Sequence, residues 1–168
     1  MDKVNLIDNA AIEKMRELAG RAQVGFFQTY LKHAPSHGRP MVAVKVDDAG
    51  RFWFFSKNNS RKNHEIRLSN KVQLIFSRPH SLEFLEVYGE ARIVRDEKKM
   101  KELWTPSLRN WIPGGIEEPD TTLICVKPIE AHYWDTKHNT AVLLFKGVLG
   151  ALTGITMNGD IEGKLKIK

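Results

Sequence analysis

The segment 39–66, RPMVAVKVDDAGRFWFFSKNNSRKNHEI, constrains the fold of this chain more than any other part of it. Met41 to Val46 is a β-branched, apolar run and Phe52 to Phe55 is an aromatic one, so both are predicted to be strands. Residues 47–50, Asp-Asp-Ala-Gly, have the composition of a tight turn in which the glycine takes a positive φ. A polar connection then leads into a helix predicted from Ser60 to about Leu68.

The start of this predicted helix is a candidate anion site. The first backbone N–H groups of a helix have no partner within it, and the helix dipole is positive at that end. Ser60, Arg61 and Lys62 add a hydroxyl, a guanidinium and an ammonium, which are three kinds of phosphate donor. The alternative is a plain N-cap by Ser60 with two solvated cations behind it.

The remaining pattern predicts a small antiparallel β-barrel with a few helices, in one domain of 168 residues. Alternating apolar and polar residues over 83–95 are typical of a long strand, and Gly89 predicts a bend or bulge in it. Pro128 predicts a bulge or an edge in the last barrel strand. Two further helices are predicted, one that Asp8 caps and that ends around Gly20 to Gln23, and one that Asp96 caps. The other predicted elements are strands at 24–30 and 72–77, a last strand at 122–126 and 129–134, a loop at 104–120 and a flexible tail at 147–168.

Composition and charge restrict the function further. A hydrophobic content of 42% supports one core, and the absence of a leader pattern or a membrane-length apolar run predicts a cytoplasmic protein without a membrane partner. The net charge of +6 comes from dispersed residues, so nucleic acid is not expected as a partner. Cys125, the only cysteine, lies in an apolar run and is predicted to be buried. Pro35 interrupts the spacing of His33 and His37, so no metal site is predicted.

The order of these motifs closely resembles the flavin-binding signature of the pyridoxamine 5′-phosphate oxidase-like family of FMN-binding split barrels. Within that family the chain is most similar to the bacterial general stress protein branch. The likeness extends from about Met15 to Gly154, and the matching pieces are specific in their order and spacing rather than singly. They are Arg39-Pro40-Met41, Trp53-Phe54-Phe55-Ser56, Ser60-Arg61-Lys62, Gly89-Glu90-Ala91, Leu103-Trp104, Trp111-Ile112-Pro113-Gly114-Gly115, Pro119-Asp120 and Tyr133-Trp134-Asp135.

The resemblance implies a six-stranded antiparallel split β-barrel that forms a homodimer, with two FMN molecules at the subunit interface; FAD is the alternative cofactor. It also implies that the triplet 60–62 binds the ribityl phosphate. The chain departs from the oxidase members at Phe84, which stands where they carry a flavin-contacting glutamine. Trp111 lies in a long loop that could place its indole over a flavin ring. The expected cofactor-binding residues are Arg39, Met41, Val42, Ala43, Phe55, Ser56, Ser60, Arg61, Lys62 and Trp111.

The expected function is an FMN-dependent oxidoreductase of general stress type, with a nicotinamide as the candidate electron donor. No side chain is identified as a catalytic acid or base. The alternatives are a flavin-binding module that stores flavin or senses redox stress without turnover, and a small barrel that binds nucleic acid. Oxidases of pyridoxamine phosphate end in a segment with an arginine- and tryptophan-containing motif, whereas residues 147–168 contain no arginine and no aromatic residue. We therefore expect no such oxidase activity.

Overall fold

The computed structural model describes residues 2–32, 34–136 and 160–167 of the chain. These residues form a mainly β architecture of ten strands and three α-helices. The helices are α1 (Asp8–Ala22), α2 (Arg61–Leu68) and α3 (Glu97–Leu103). The strands are β1 (Asp2–Lys3), β2 (Leu6–Ile7), β3 (Val24–Thr29), β4 (His37–Val42), β5 (Lys45–Val46), β6 (Phe52–Lys57), β7 (Lys71–Arg78), β8 (Glu83–Val94), β9 (Thr121–Thr136) and β10 (Asp160–Lys166).

Strand β9 organises the sheet, because β6, β8 and β10 all pair with it in antiparallel fashion. From β8 the sheet continues through β7 and β3 to β4, which is the last strand of this path. The ladder between β8 and β9 shifts register between Tyr88 and Gly89, which pair with Glu130 and Pro128. A Cβ on Gly89 would lie 2.6 Å from the carbonyl oxygen of Lys127, so the backbones approach too closely there for a side chain. The predicted bulge is therefore confirmed, and it involves both residues that suggested it.

Two hydrophobic clusters lie on opposite faces of β6, whose first four residues, FWFF, are all aromatic and all buried. Phe52 and Phe54 point into the barrel, where Phe54 makes an edge-to-face contact with Phe27 at 5.1 Å. The buried face of α1, including Met15 and Leu18, belongs to the same cluster. The second cluster forms outside the barrel and joins β6 to α3 and to a 3-10 segment at 106–110; its buried members are Trp53, Phe55, Met100, Leu103, Leu108, Ile112 and Leu123.

The hairpin predicted over residues 41–55 is present, but its first strand is broken. The predicted strand 41–46 divides into β4, which pairs with β3, and β5, which pairs with β6. Between them the Ala43 N–H donates to Gln23 O at 3.1 Å and the Val44 N–H donates to Trp53 O at 2.9 Å. The chain thus changes its pairing partner at this corner, which residue propensity does not encode. The turn agrees with the prediction, since Gly50 has φ +72° and Asp47 accepts the Ala49 and Arg51 N–H groups.

The ends of the chain differ most from the sequence prediction. The expected six-stranded barrel is enlarged by β1, β2, β5 and β10. Residues 160–165 of the predicted flexible tail instead pair with β9, and Leu165 is buried in the core. Residues 147–159 and 168 of that tail lie outside the described residues. Asp8 was expected to cap α1, yet it is the first helical residue and Ile7 occupies the cap position without a side-chain hydrogen bond.

None of the described helices is long and apolar enough to cross a membrane.

Candidate functional site

A cavity of about 400 Å³ opens where β4, the end of β6, the start of α2 and the segment after α3 meet. Its size lies within the range of small-molecule sites, and its lining combines an apolar wall with a few polar groups. The apolar wall is Pro40, Met41, Val42, Val44, Phe55, Leu108, Trp111 and Ile112. The polar wall is Ser56, Lys57, Asn59, Ser60 and Lys62.

The polar wall is held in place by a buried hydrogen-bond network beneath the first turn of α2. Ser60 occupies the N-cap, where its Oγ accepts the Asn63 N–H at 3.4 Å. The Asn63 side chain is fully buried; its Oδ1 accepts the Ser56 hydroxyl at 2.8 Å, and its amide donates to Thr122 Oγ1 at 3.2 Å. These contacts tie the start of α2 to the ends of β6 and β9. The start of α2, whose residues Ser60 and Lys62 line the cavity, is therefore held in a fixed position.

Lys62 is a half-buried cation without an anionic partner in the part of the chain that the structure describes. It lines the cavity, and the described part of the chain offers its ammonium no hydrogen bond and no ion pair. Burial, together with the charge of Arg39 nearby, lowers the pKa of Lys62 below the usual value for lysine. Lys57 on the same wall differs, because its Nζ donates to Glu118 Oε1 at 3.1 Å. Lys62 is thus the cation of this wall that remains available to an anionic ligand.

A buried carboxylate, Glu65, gathers a second set of charges beside the cavity. Its Oε2 accepts the Thr29 hydroxyl at 2.5 Å and Arg39 Nη2 at 3.1 Å. Its Oε1 accepts Arg61 Nε at 2.9 Å and lies 2.5 Å from His37 Nδ1. Burial alone would raise the pKa of Glu65, but these hydrogen bonds outweigh it and lower the pKa to about 2. Glu65 is therefore ionised and holds both arginines in place.

Seven of the ten residues expected at the cofactor line this cavity, namely Met41, Val42, Phe55, Ser56, Ser60, Lys62 and Trp111. The other three do not line it. Arg39 and Arg61 are bound to Glu65, and Ala43 donates its N–H to Gln23. Trp111 is 57% exposed at the rim, while its neighbour Ile112 is buried below it.

Sequence reasoning missed several residues of the site. The lining residues that it did not anticipate are Pro40, Val44, Lys57, Asn59, Leu108 and Ile112. Glu65 was also missed, although an acidic residue four positions after Arg61 on a helix is a recognisable ion-pair spacing.

Other residues that the sequence singled out lie elsewhere. Phe84 is the second residue of β8, pairs with Ser77 and Trp134, and is partly exposed on the outer side of the sheet. Cys125 is half-buried on β9, where burial raises the pKa of its thiol. His33 lies outside the described residues, and no group of three or more metal-ligating side chains occurs within them. A second cavity of about 430 Å³, between β9 and β10, contains none of the expected cofactor residues.

A family model of pyridoxamine 5′-phosphate oxidase like proteins matches residues 10–158. The match covers most of the chain, so the chain belongs to this family, which confirms the family predicted from the sequence motifs. Protein bli-3 of Neurospora crassa is 25% identical over 125 residues, a stretch that makes up 69% of this chain and 60% of bli-3. The chain therefore spans less than two thirds of the length of that relative.

Solved structures share the fold. A candidate general stress protein 26 of Jannaschia sp. CCS1 is 17% identical and has a TM-score of 0.74, covering 90% of this chain and 95% of that one. A Clostridium acetobutylicum protein related to general stress protein 26 is 23% identical with a TM-score of 0.65, covering 76% and 90% of the two chains. The general stress FMN/FAD binding protein of Xanthomonas citri is 22% identical with a TM-score of 0.63, covering 77% and 90%. This fold is the split barrel of the pyridoxamine phosphate oxidase-like proteins.

Proposed function

We propose that this chain binds FMN in the 400 Å³ cavity and acts as an oxidoreductase of general stress type. The observation that carries the proposal is the half-buried ammonium of Lys62, which has no anionic partner among the described residues and lies beside the Ser60 cap at the start of α2. Proteins of the same fold are described as a general stress FMN/FAD binding protein and as a pyridoxamine 5′-phosphate oxidase-related, FMN binding protein. Those descriptions agree with a flavin as the ligand.

The residues present fit the two ends of such a ligand. Lys62, the Ser60 hydroxyl and the first N–H groups of α2 provide donors for the phosphate. The apolar wall fits an aromatic ring system, with Trp111 at its rim. Strand β4 ends the sheet path, so one edge of its backbone has no strand partner among the described residues and can hydrogen-bond polar ring atoms. Ala43 contributes only shape in this arrangement, because Gln23 already accepts its N–H.

The division of chemistry follows from these residues. A flavin supplies the electron-transfer chemistry when it is bound, and the protein supplies binding, orientation and the electrostatic environment. Met41, Val42 and Phe55 exclude water from one side of the cavity, while Lys62 neutralises part of the phosphate charge. Among the side chains that line the cavity, none is a carboxylic acid or a histidine. We therefore assign no acid–base residue.

We further propose that a second copy of the chain covers the outer face of the sheet beside the cavity. Val24 and Phe26 on β3 are 40% and 45% exposed, and Phe84 on β8 is 36% exposed. Strand pairing places Phe26 next to Ile75 and to Pro40, which lines the cavity. This apolar face is thus continuous with the proposed flavin site, and large exposed apolar faces mark interfaces.

Light scattering should give the mass of a homodimer for the wild type. Phe26→Lys should give a monomer with weakened flavin affinity. A wild-type monomer that holds flavin contradicts the proposed dimer.

We do not propose oxidation of pyridoxamine phosphate. The segment 147–168 offers no guanidinium to grip a second phosphate, and its Lys164 already bonds Glu130 at 3.3 Å. A coupled aerobic assay of the flavin-loaded protein should therefore detect no steady formation of pyridoxal phosphate, and steady product would reassign the protein to vitamin salvage.

Two measurements test the proposed function. The purified protein, titrated with FMN, FAD and riboflavin, should give the flavin absorbance spectrum and bind FMN tighter than riboflavin. Anaerobic mixing with a reduced nicotinamide should then bleach the flavin at a rate well above that of free FMN. Flavin binding without this reduction supports the non-catalytic flavin module instead. Failure to bind any flavin contradicts both the oxidoreductase and the non-catalytic flavin module. Binding of nucleic acid by the flavin-free protein would then support the remaining alternative, a small barrel that binds nucleic acid.

A further inference from the structure

The two walls of the proposed flavin site belong to elements that are anchored separately. The start of α2, which carries part of the polar wall, is tied to β6 and β9, since Asn63 bonds both Ser56 and Thr122. Strand β4, which carries part of the apolar wall, pairs with β3 alone among the described strands, and no backbone hydrogen bond joins it to a described residue of α2. The distance between β4 and α2 therefore depends on side-chain contacts.

Glu65 makes polar contacts that bridge the space between α2 and β4. From α2 its carboxylate accepts Arg39 Nη2 of β4 at 3.1 Å and lies 2.5 Å from His37 Nδ1 of the same strand. The Thr29 hydroxyl on β3 donates to Glu65 Oε2 at 2.5 Å and accepts Arg39 Nη1 at 2.6 Å. The Glu65 side chain is 5% exposed, so solvent screens these contacts little. One carboxylate thus joins α2 to two strands.

The charges on the two elements would push them apart without this carboxylate. Burial, and after it the charge of Arg39, lowers the pKa of Lys62, so the two cations repel each other across the space between β4 and α2. Glu65 is the anion that offsets this repulsion. Pro40 and Met41 follow Arg39 directly on β4 and line the cavity. A shift of Arg39 therefore moves the part of the apolar wall that β4 contributes.

We propose that Glu65 is a positioning residue for the flavin: it holds β4 at the distance from α2 at which one ligand contacts the apolar wall and the phosphate donors together. The inference rests on the proposed function. A ligand that is anchored at both ends gains affinity over its separate parts only when the spacing of the two subsites matches its own length. Glu65 does not line the cavity, so it acts through β4 on the cooperation between the two ends of FMN.

The test compares FMN with its separate parts, riboflavin and inorganic phosphate, by calorimetric titration of the wild type and Glu65→Gln. Glutamine keeps the length of the side chain and removes its charge. The dissociation constant for FMN should rise about five- to tenfold because the spacing is no longer preorganised. Those for riboflavin and for inorganic phosphate should rise by less than about twofold.

The alternatives to positioning give different results. Loss of a carboxylate near a bound phosphate, acting through charge alone, would lower the dissociation constant for FMN. A general structural role would weaken riboflavin, inorganic phosphate and FMN by the same factor. An FMN constant that is unchanged or lowered, or an equal loss for all three ligands, therefore overturns the inference.

Glu83→Gln is the matched control. Glu83, at the start of β8, is also a buried carboxylate between two arginines, since it accepts Arg21 Nη1 at 2.9 Å and Arg78 Nη1 at 3.0 Å. It bonds no described side chain of β4 or α2. Its replacement should lower stability yet leave the FMN dissociation constant within about twofold of the wild type. If Glu83→Gln weakens FMN as much as Glu65→Gln does, the effect comes from lost stability and the inference is wrong.

Thr29→Val provides a second variant if Glu65→Gln does not fold. It changes no charge and removes the hydroxyl that joins Glu65 to Arg39. The dissociation constant for FMN should rise about two- to threefold, the effect of one hydrogen bond, while that for riboflavin stays the same. Unchanged FMN affinity in this variant counts against the bridge between β4 and α2.

The spacing itself can be probed with flavin phosphates whose side chain is one carbon longer or one carbon shorter than that of FMN. The wild type should prefer FMN to both, because β4 and α2 are held at one distance. In Glu65→Gln this preference should narrow by about threefold or more. A preference that is as sharp in the variant as in the wild type overturns the inference.

The outcomes separate this inference from the proposed function. A wild type that binds FMN, with a Glu65→Gln variant that binds it equally well, overturns the inference alone. A wild type that binds no flavin overturns the proposed function, and the inference with it.

Discussion

Replacement of Lys62 by methionine tests the phosphate site most directly. Methionine keeps an unbranched apolar stem and removes the ammonium, so the packing of the cavity wall is disturbed little. The described residues give Lys62 no ion pair in the free protein, which means that the substitution breaks no internal contact of that kind. The substitution should therefore act mainly on the affinity for the ligand.

The expected loss of affinity follows from one charge-assisted hydrogen bond. Such a bond contributes about 1.5 to 3 kcal/mol, so its loss should raise the dissociation constant for FMN roughly 10- to 150-fold. Lys62 is half-buried, so solvent screens this interaction less than it would screen an exposed lysine. Riboflavin has no phosphate, and its dissociation constant should change by less than about twofold.

The same substitution should stabilise the free protein. Burial lowers the pKa of Lys62, so the charged form is disfavoured in the folded state relative to the unfolded one. For a base with a lowered folded pKa, stability rises as the pH rises through the folded value toward the ordinary 10.5. At neutral pH the wild type carries the full cost of the buried charge, which Lys62→Met removes.

The assay combines flavin titration by fluorescence quenching with thermal unfolding of the ligand-free protein. Lys57→Met is the matched control, because Lys57 lines the same cavity but pairs with Glu118. It should weaken FMN binding less than Lys62→Met does, and it should not stabilise the free protein. Equal loss of FMN and riboflavin affinity in Lys62→Met would refute the reasoning, since it would show that the residue shapes the cavity without binding phosphate.

Three further predictions concern stability and the rim of the site. Asp47→Ala should lower the free energy of unfolding, measured by urea denaturation, by about 2 to 4 kcal/mol. Asp47 is buried and accepts hydrogen bonds from Trp53 Nε1, at 2.9 Å, and from two backbone N–H groups. A loss below about 0.5 kcal/mol would contradict this role. Glu65 has a pKa of about 2 instead of 4.5, so its contribution to stability is complete above about pH 4.5 and is lost as the pH falls toward 2; Glu65→Gln should unfold with a shallower acid dependence, and an unchanged slope counts against the ionised cluster. Trp111→Ala should reduce the quenching of the fluorescence of bound FMN and should weaken the binding of FMN and riboflavin equally. A loss of affinity for FMN alone would place Trp111 at the phosphate.

The sequence by itself determined the local parts of the site. The Ser60 cap, the helix behind it and the Asp47–Gly50 turn each depend on neighbouring residues, and the structure has all three. Residue type is sufficient there because capping and positive φ are consequences of short-range backbone geometry. The family could also be recognised from such pieces, since their order along the chain is a linear property.

Only the tertiary structure decided which of these residues share a cavity and which are bound elsewhere. Arg61 and Lys62 are adjacent in sequence, but Arg61 contacts Glu65 and His37, while Lys62 has no ion-pair partner among the described residues and lies at the cavity wall. The sequence pattern likewise did not predict the break between β4 and β5 or the pairing of residues 160–165 with β9. Each depends on partners tens of residues away, and a charge or a backbone edge is available to a ligand only when no such partner takes it first.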